Sequence, residues 1–218
     1  MSNSEIKRFE DKRWQGGAQK LVFRHTKALE MATGPRVLDV GCGDGLFLEM
    51  LADKGFRVQG VDVSEEGVKK CKEKGLDAVV VDASSGNLPF KDNEFDSVTL
   101  LDILEHLYFP EDLLKEAARV SKKYVIISIP NFNSFPARLQ VLFGKVPENN
   151  RPHKGHVYWF NYGNLMTMIR QNNLRISVLS CNTFFENKPV VGTAMKFLAR
   201  RFTPLFALSF AVKLEKIS

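Results

Sequence analysis

The run Val37-Leu38-Asp39-Val40-Gly41-Cys42-Gly43-Asp44-Gly45 constrains this chain more than any other. A short strand leads straight into a loop with glycine at every second position. Because such a loop is almost free of side chains, its backbone and the start of the next helix can approach a ligand at the carboxyl end of the strand. The spacing Gly41-x-Gly43-x-Gly45 differs from the G-x-G-x-x-G of dinucleotide sites, and G-x-x-x-x-G-K-[ST] is absent, which excludes a phosphate loop on pattern. Asp39 would repel a pyrophosphate but suits an ammonium or sulfonium. A nucleotide-like, positively charged cofactor is expected.

With 218 residues, 44% of them hydrophobic and 26% charged, the chain can bury one sizeable core. It lacks the apolar run of about eighteen residues that a membrane span needs, and Met1–Glu5 is polar with no hydrophobic segment behind it. Neither a signal peptide nor integral membrane contact is expected, and a cytoplasmic location follows. Three cysteines, at 42, 71 and 181, fit reduced thiols rather than a metal site. The net charge of +6 is unevenly spread: residues 1–34 carry +3, residues 35–130 carry −6, and residues 131–218 carry +9. An acidic middle that holds the glycine loop is flanked by basic ends, which would steer an anionic substrate, an RNA or a lipid surface, or simply solubilise the chain.

Residues 1–34 read as an N-terminal helical cap, with a short helix, a break at Gly16-Gly17 and a longer helix from about Gln19 to Met31. From Arg36 strand and helix alternate. Strands are expected at 37–40, 57–61, 77–81, 95–101 and 124–129, and helices at 46–54, 64–74 and 110–120, with Ser64 as an N-cap. Strands this rich in Val, Ile and Leu are covered on both faces, so the fold class is α/β, an open Rossmann-like sheet with helices on each side. Beyond Pro130 a short helix at 135–143, a basic loop at 145–155, a helix at 161–171 and strands at 174–181 and 206–214 are expected, with a basic helical segment at 194–201 between the last two strands.

Ligands in such sheets sit beyond the carboxyl ends of the strands. Asp62, ending the second strand, can accept both hydroxyls of a ribose, and Asp82, followed by the small Ala83, can accept from an exocyclic amine. Phe90 and Phe95 are expected to pack beneath the base. Trp14, Arg24 and His25 are candidates for reaching the site from the cap, and His106 is a candidate base or positioning group.

The segments Val37–Gly45, Gly60–Ser64, Val81–Ala83, Leu88–Phe90, Phe95–Val98 and Glu105–Leu107, in this order and spacing, resemble the class I S-adenosylmethionine-dependent methyltransferases. Pro130–Phe132, Arg138–Gly144, Val146-Pro147, His156 and Phe160 are similar to their MetW-like branch. The resemblance implies a seven-stranded sheet whose last strand is antiparallel, over residues 35–218, with S-adenosyl-L-methionine as cofactor. It also implies that Asp39, Gly41, Cys42, Gly43 and Gly45 hold the methionine part, Asp62 and Val63 the ribose, Asp82 and Ala83 the adenine. The five residues Leu100, Leu101, Asp102, Ile103 and Leu104 would line the methionine side.

Methyl transfer from a sulfonium is an in-line displacement that requires placement more than side-chain chemistry. A base is needed only where the acceptor must lose a proton, and His106 and His156 are the catalytic candidates. A basic substrate loop at about 131–160 would wall the acceptor, with Arg151 and Lys154 clamping an anionic small molecule beneath Trp159. His153 and His156 have no carboxylate or thiol at ligand spacing beside them, so no metal is expected. A small-molecule acceptor is the leading reading. The alternatives are an RNA methyltransferase, which the basic last third allows, and a non-catalytic or partner-dependent cofactor-binding protein. The apolar stretch Phe197–Phe210 reads as final-strand packing, with a homodimer contact or peripheral membrane contact as the alternatives.

Overall fold

In the computed structural model, which describes residues 3–15, 18–151, 154–184 and 189–217, the strands alternate their side chains between two covered faces of one sheet. Val37, Ile126 and Ala211 point to one face and the adjacent Leu38, Val125, Ile127, Phe210 and Val212 to the other, all nearly inaccessible to water. Period-two alternation of apolar residues on both faces is what a sheet sandwiched between helices requires.

Among the described residues the sheet has seven strands: β1 (Arg36–Val40), β2 (Arg57–Asp62), β3 (Ala78–Val80), β4 (Phe95–Leu101), β5 (Ser121–Pro130), β6 (Leu174–Asn182) and β7 (Ser209–Lys216). Their order is β3-β2-β1-β4-β5-β7-β6. The first five pair in parallel, and β7 runs antiparallel to both β5 and β6, bearing out the expected antiparallel last strand. The strand order reverses at β1, which lies between β2 and β4, so a crevice opens there above the aligned strand ends.

Helices α2 (Phe23–Met31), α3 (Leu46–Asp53) and α4 (Glu65–Glu73) cover one face, with Ala28, Met31, Phe47, Leu51 and Val68 inward. On the other face, α5 (Pro110–Val120) and α7 (Tyr162–Gln171) bury Leu113, Leu114, Ala117, Leu165, Met168 and Ile169. Ser64 caps α4 as expected, its hydroxyl accepting from Gly67 N at 3.1 Å.

Three local expectations shift. The first helix, α1 (Asn3–Gln15), is longer than expected, and α2 begins at Phe23 rather than Gln19 because residues 18–22 are held out of the helix, with Val22 extended and Gln19 N donating to Asp44 Oδ2 at 2.9 Å. The Gly16-Gly17 break lies outside the described residues. The last strand starts at Ser209, not Phe206, because Pro204 opens a one-turn helix, α9 (Thr203–Phe206), where its fixed φ suits the first turn. The basic segment after β6 belongs to α8 (Pro189–Arg201), and the short helix after β5 is α6 (Phe135–Leu142). No helix among the described residues is long and apolar enough to cross a membrane.

Candidate cofactor and acceptor site

The glycine loop turns tightly because its backbone is committed to β2. Gly41 N and Cys42 N both donate to Val61 O, at 2.8 and 3.1 Å, and Gly43 N donates to Asp62 Oδ2 at 2.8 Å. These amides are therefore not the ligand contacts that a side-chain-poor loop first suggests. What the glycines provide is room. At Gly43 (φ +54) a Cβ would stand 2.5 Å from Trp14 Cζ2, and at Gly41 (φ +80) one would press on Ile103 Cδ1 at 3.0 Å. Trp14, on α1, is buried against the loop, and Lys70 Nζ donates to its carbonyl.

The crevice above β1, β2 and β4 holds about 780 Å³ of empty space, part of it open to solvent. Of the residues named for the cofactor, Gly41, Asp62, Val63, Asp82, Ala83, Leu101 and Asp102 line it. Asp62 uses its two oxygens for Gly43 N and Ser64 N, each at 2.8 Å, and a carboxylate keeps further lone pairs for a diol. Burial raises its pKa, and the Ser64 and Gly43 amides oppose that shift. Asp82 Oδ1 accepts from Ser84 N at 2.9 Å.

The remaining expected cofactor residues lie beneath or behind the crevice. Asp39 is buried under the loop, and Thr99 Oγ1 donates to its Oδ1 at 2.6 Å; burial pushes its pKa up to about 7 despite that bond. Asp39, Cys42, Gly43, Gly45 and Leu100 are not among the lining residues. Alternation along β1 and β4 turns the Leu100 side chain into the core, and Cys42 faces Cys71, with 4.0 Å between the sulfurs and no disulfide. Phe95 is fully buried and meets Phe90 edge-on, with centroids 5.0 Å apart, beneath the crevice rather than in it.

The cap contributes more than its sequence revealed. Glu10, Arg13, Trp14, Gln19 and Arg24 all line the crevice. Arg24 Nη1 pairs with Asp102 Oδ2 at 3.0 Å, and Asp102 also accepts from Ser128 Oγ at 2.5 Å while holding a left-handed φ of 52°. His25 does not reach the site. It is buried against Phe47, its Nδ1 accepts from Val22 N, and burial lowers its pKa to about 4. Glu10 and Arg13 carry no motif and are brought in by the docking of α1 against the glycine loop, and Gln19 comes in on the segment that its amide ties to Asp44.

Trp14 Nε1, Gln19 Oε1 and Arg24 Nε are buried without a hydrogen-bond partner among the described residues. With the strand-end carboxylates Asp62 and Asp82 they form a donor and acceptor set that fits an amino-acid nucleoside: Arg24 and Gln19 for its carboxylate and ammonium, Asp62 for its ribose, Asp82 and Ala83 for its base.

A second cavity opens beside the first, and Asp102 lines both. Its walls come from the segment after β5, with Pro130, Phe132, Ser134, Pro136 and Gln140, and from Asn149, Asn150 and Asn182. The expected clamp is not assembled there. Arg151 pairs with Glu148 at 3.0 Å, Trp159 is 59% exposed, and neither Arg151, Lys154 nor Trp159 lines this cavity. Asn150 Oδ1 is buried without a partner among the described residues.

At the junction of the two cavities stand the histidines. His106 lines the first cavity, and its ring meets that of His156 at 4.8 Å, while His156 meets Phe132 at 5.4 Å. Burial lowers the pKa of His106 to about 4, and that of His156 moves down for the same reason. The ground for expecting no metal does not hold, because the chain brings Glu105 Oε1 to 3.8 Å from His156 Nε2. Burial holds the Glu105 carboxyl well above the usual range. His153 lies outside the described residues.

Comparison with known proteins agrees with this geometry. The family model described as methionine biosynthesis protein MetW matches residues 24–178. The chain is 29% identical over 159 residues to a ubiquinone biosynthesis O-methyltransferase of Chromobacterium violaceum, covering 67% of each chain. It is 34% identical over 109 residues to one of Idiomarina loihiensis, covering 46% of this chain and 42% of that one. Magnesium protoporphyrin IX methyltransferase from Synechocystis PCC 6803 with bound SAH superposes with a TM-score of 0.69 at 17% identity, covering 99% of this chain and 100% of that one. The [4+2]-cyclase SpnF superposes with a TM-score of 0.68 at 16% identity over 99% and 97% of the two chains, so the fold alone does not fix the reaction. Because the MetW model spans most of the sequence and the crevice keeps the carboxylates of a nucleoside site, the chain belongs to the MetW family and is an S-adenosylmethionine-dependent methyltransferase of class I fold.

Proposed function

We propose that this enzyme methylates a hydroxyl oxygen of a small molecule held in the second cavity, with S-adenosylmethionine in the crevice beside it. One observation carries the reading: the two cavities meet at Asp102, and each presents buried polar atoms with no partner among the described residues. Amides from Gln140, Asn149, Asn150 and Asn182 suit a neutral, hydrogen-bonding acceptor better than a polyanion. The relatives described as ubiquinone biosynthesis O-methyltransferases support a small molecule and an oxygen acceptor.

When bound, S-adenosylmethionine supplies a methyl carbon made electrophilic by the sulfonium. The chain's own task is to hold the reacting atoms in line at about 3–3.5 Å and to keep water out. Trp14, Gln19 and Arg24 close the donor side, and the ion pair from Arg24 to Asp102 fixes the wall that the two cavities share. A hydroxyl must also give up a proton, and the titratable groups around the junction are Asp102, which lines both cavities, and the cluster of Glu105, His106 and His156.

The test is transfer of a labelled methyl group from S-adenosylmethionine to a panel of hydroxylated small molecules, followed by location of the label. A methyl ether supports the reading. Asn150→Ala should raise the acceptor KM and leave donor affinity unchanged, whereas Arg24→Ala should weaken donor binding. Label found only on nitrogen or in RNA would overturn the proposed acceptor. Tight donor binding with no transfer to any component of a metabolite extract would favour a non-catalytic, cofactor-binding protein.

A further inference from the structure

We propose that Glu105, His106 and His156 form a divalent-metal site of the zinc class, between the donor crevice and the cavity that receives the acceptor. One ligand atom from each of these residues lies within 4.8 Å of the others. Two are neighbours in the turn after β4, and the third is supplied by the loop that leads to α7, so no spacing motif announces the set.

The orientation of each ring argues for ligation. His156 Nδ1 faces Asn149 O at 2.8 Å and His106 Nδ1 faces Gly155 O at 3.2 Å. A carbonyl can only accept, so it fixes the proton on Nδ1 in both rings. That leaves the Nε2 lone pair of each free. A metal-binding histidine usually carries this outer hydrogen bond, which sets the tautomer and the ring direction. The backbone at Glu105 is held as firmly, because Val157 N and Tyr158 N donate to its main-chain carbonyl at 2.9 and 3.0 Å and tie the two segments together.

What these groups lack is a partner in the middle. Glu105 is 1% exposed, its Oε2 has no hydrogen-bond partner among the described residues, and its Oε1 lies 3.8 Å from His156 Nε2, too far for a hydrogen bond. Held as a carboxylate by a cation, Glu105 would gain a partner together with the two imidazoles. Two imidazoles and one carboxylate match the ligand set of zinc sites that keep an open position. Ligands of such an ion stand about 2.0–2.2 Å from it, so the three side chains must tighten by about an ångström on binding. His106 lines the donor crevice and His156 touches Phe132 of the acceptor cavity, so the ion would lie between the two. There an ion would bind the acceptor oxygen and make its proton easier to lose. That role rests on the proposed O-methylation; metal binding itself does not.

The test uses the full chain, stripped with a chelator and titrated with zinc(II) by calorimetry and with cobalt(II) by absorption. One equivalent should bind, and the cobalt(II) spectrum should lack a thiolate charge-transfer band, which separates this site from Cys42 and Cys71. Glu105→Gln and His156→Ala should each weaken zinc binding by more than the roughly 10–100-fold that loss of an outer hydrogen-bond partner costs. Urea unfolding and S-adenosylhomocysteine binding verify that the variants are folded. In the wild type, the ring nitrogen signals of His106 and His156 should both shift on zinc addition, which keeps the test independent of any variant. No zinc uptake, uptake unchanged in both variants, or a thiolate spectrum would overturn the site. A chain that transfers methyl groups to a hydroxyl but takes up no zinc would overturn the metal site and leave the proposed reaction standing.

Discussion

The contact between Trp14 and Gly43 links the cap to the cofactor loop, and substituting Gly43 by alanine probes it directly. The new Cβ would lie 2.5 Å from Cζ2 and 2.7 Å from Cη2 of the Trp14 ring, at a residue whose φ of +54 is already unfavourable for alanine. The left-handed backbone costs about 1–2 kcal/mol. Overpacking adds about 1–3 kcal/mol unless the ring leaves, and because Trp14 is 5% exposed its departure would give up a larger burial term. A total of about 2–5 kcal/mol corresponds to a drop in Tm of about 4–20 °C for a chain of this size. Since Trp14 lines the crevice, donor affinity should fall as well. The decisive assay is a double-mutant cycle with Trp14→Ala, read by urea unfolding and by calorimetry with S-adenosylhomocysteine. Removing the ring removes the clash, so the double variant should be more stable than the two single losses predict by about 1–3 kcal/mol. Strictly additive losses, or a Gly43→Ala variant with unchanged donor affinity, would refute the idea that α1 closes the site through this contact.

Arg24→Ala removes the cation of the crevice wall and a charged hydrogen bond, and should weaken S-adenosylhomocysteine binding by about 10–100-fold, as about 1.5–3 kcal/mol for such a bond implies; calorimetry giving unchanged affinity would place the carboxylate elsewhere. Asp62→Ala should likewise act mainly on donor binding, with the acceptor KM little changed in steady-state assays, and the reverse pattern would contradict its place in the crevice. Asp39, with a folded pKa near 7 against 3.8 as its reference, keeps in the folded state a proton that the unfolded chain releases. Its contribution to stability is therefore complete below about pH 4 and is lost as pH rises through 7, by about 4 kcal/mol at most at 1.36 kcal/mol per unit. Asp39→Asn keeps an oxygen for the Thr99 hydroxyl and removes the titration, so urea unfolding from pH 5 to 8 should show a shallower decline than in the wild type; equal slopes would show that Asp39 ionises normally in the folded chain.

The donor half of the site was legible in the sequence because it is built from short segments. A strand end followed by a side-chain-poor loop, and carboxylates closing the next two strands, fix their own positions once the sheet forms, so Asp62, Val63, Asp82 and Ala83 stand where motif and spacing put them. Asp39, Cys42 and Leu100, which the same pattern also names, do not line the crevice. A motif records which residues are constrained, whereas the alternation of side chains along β1 and β4 decides which of them faces ligand and which faces core.

Spacing carries no information about contacts that the chain makes only after it has closed on itself. The sequence by itself determined the parallel α/β sheet, the position of the crevice at β1, and a cofactor with ribose and a positive charge. Tertiary structure alone decided that α1 lays Trp14 on Gly43, that Arg24 meets Asp102, and that the acceptor cavity is walled by amides rather than by Arg151 and Lys154. It also placed His156 beside Glu105 across a long stretch of chain. The physical reason is that hydrophobic periodicity and turn chemistry act over a few residues. The meeting of distant side chains depends instead on how loops and helices pack over a finished sheet, where burial and the need to pair every buried polar atom select the partners.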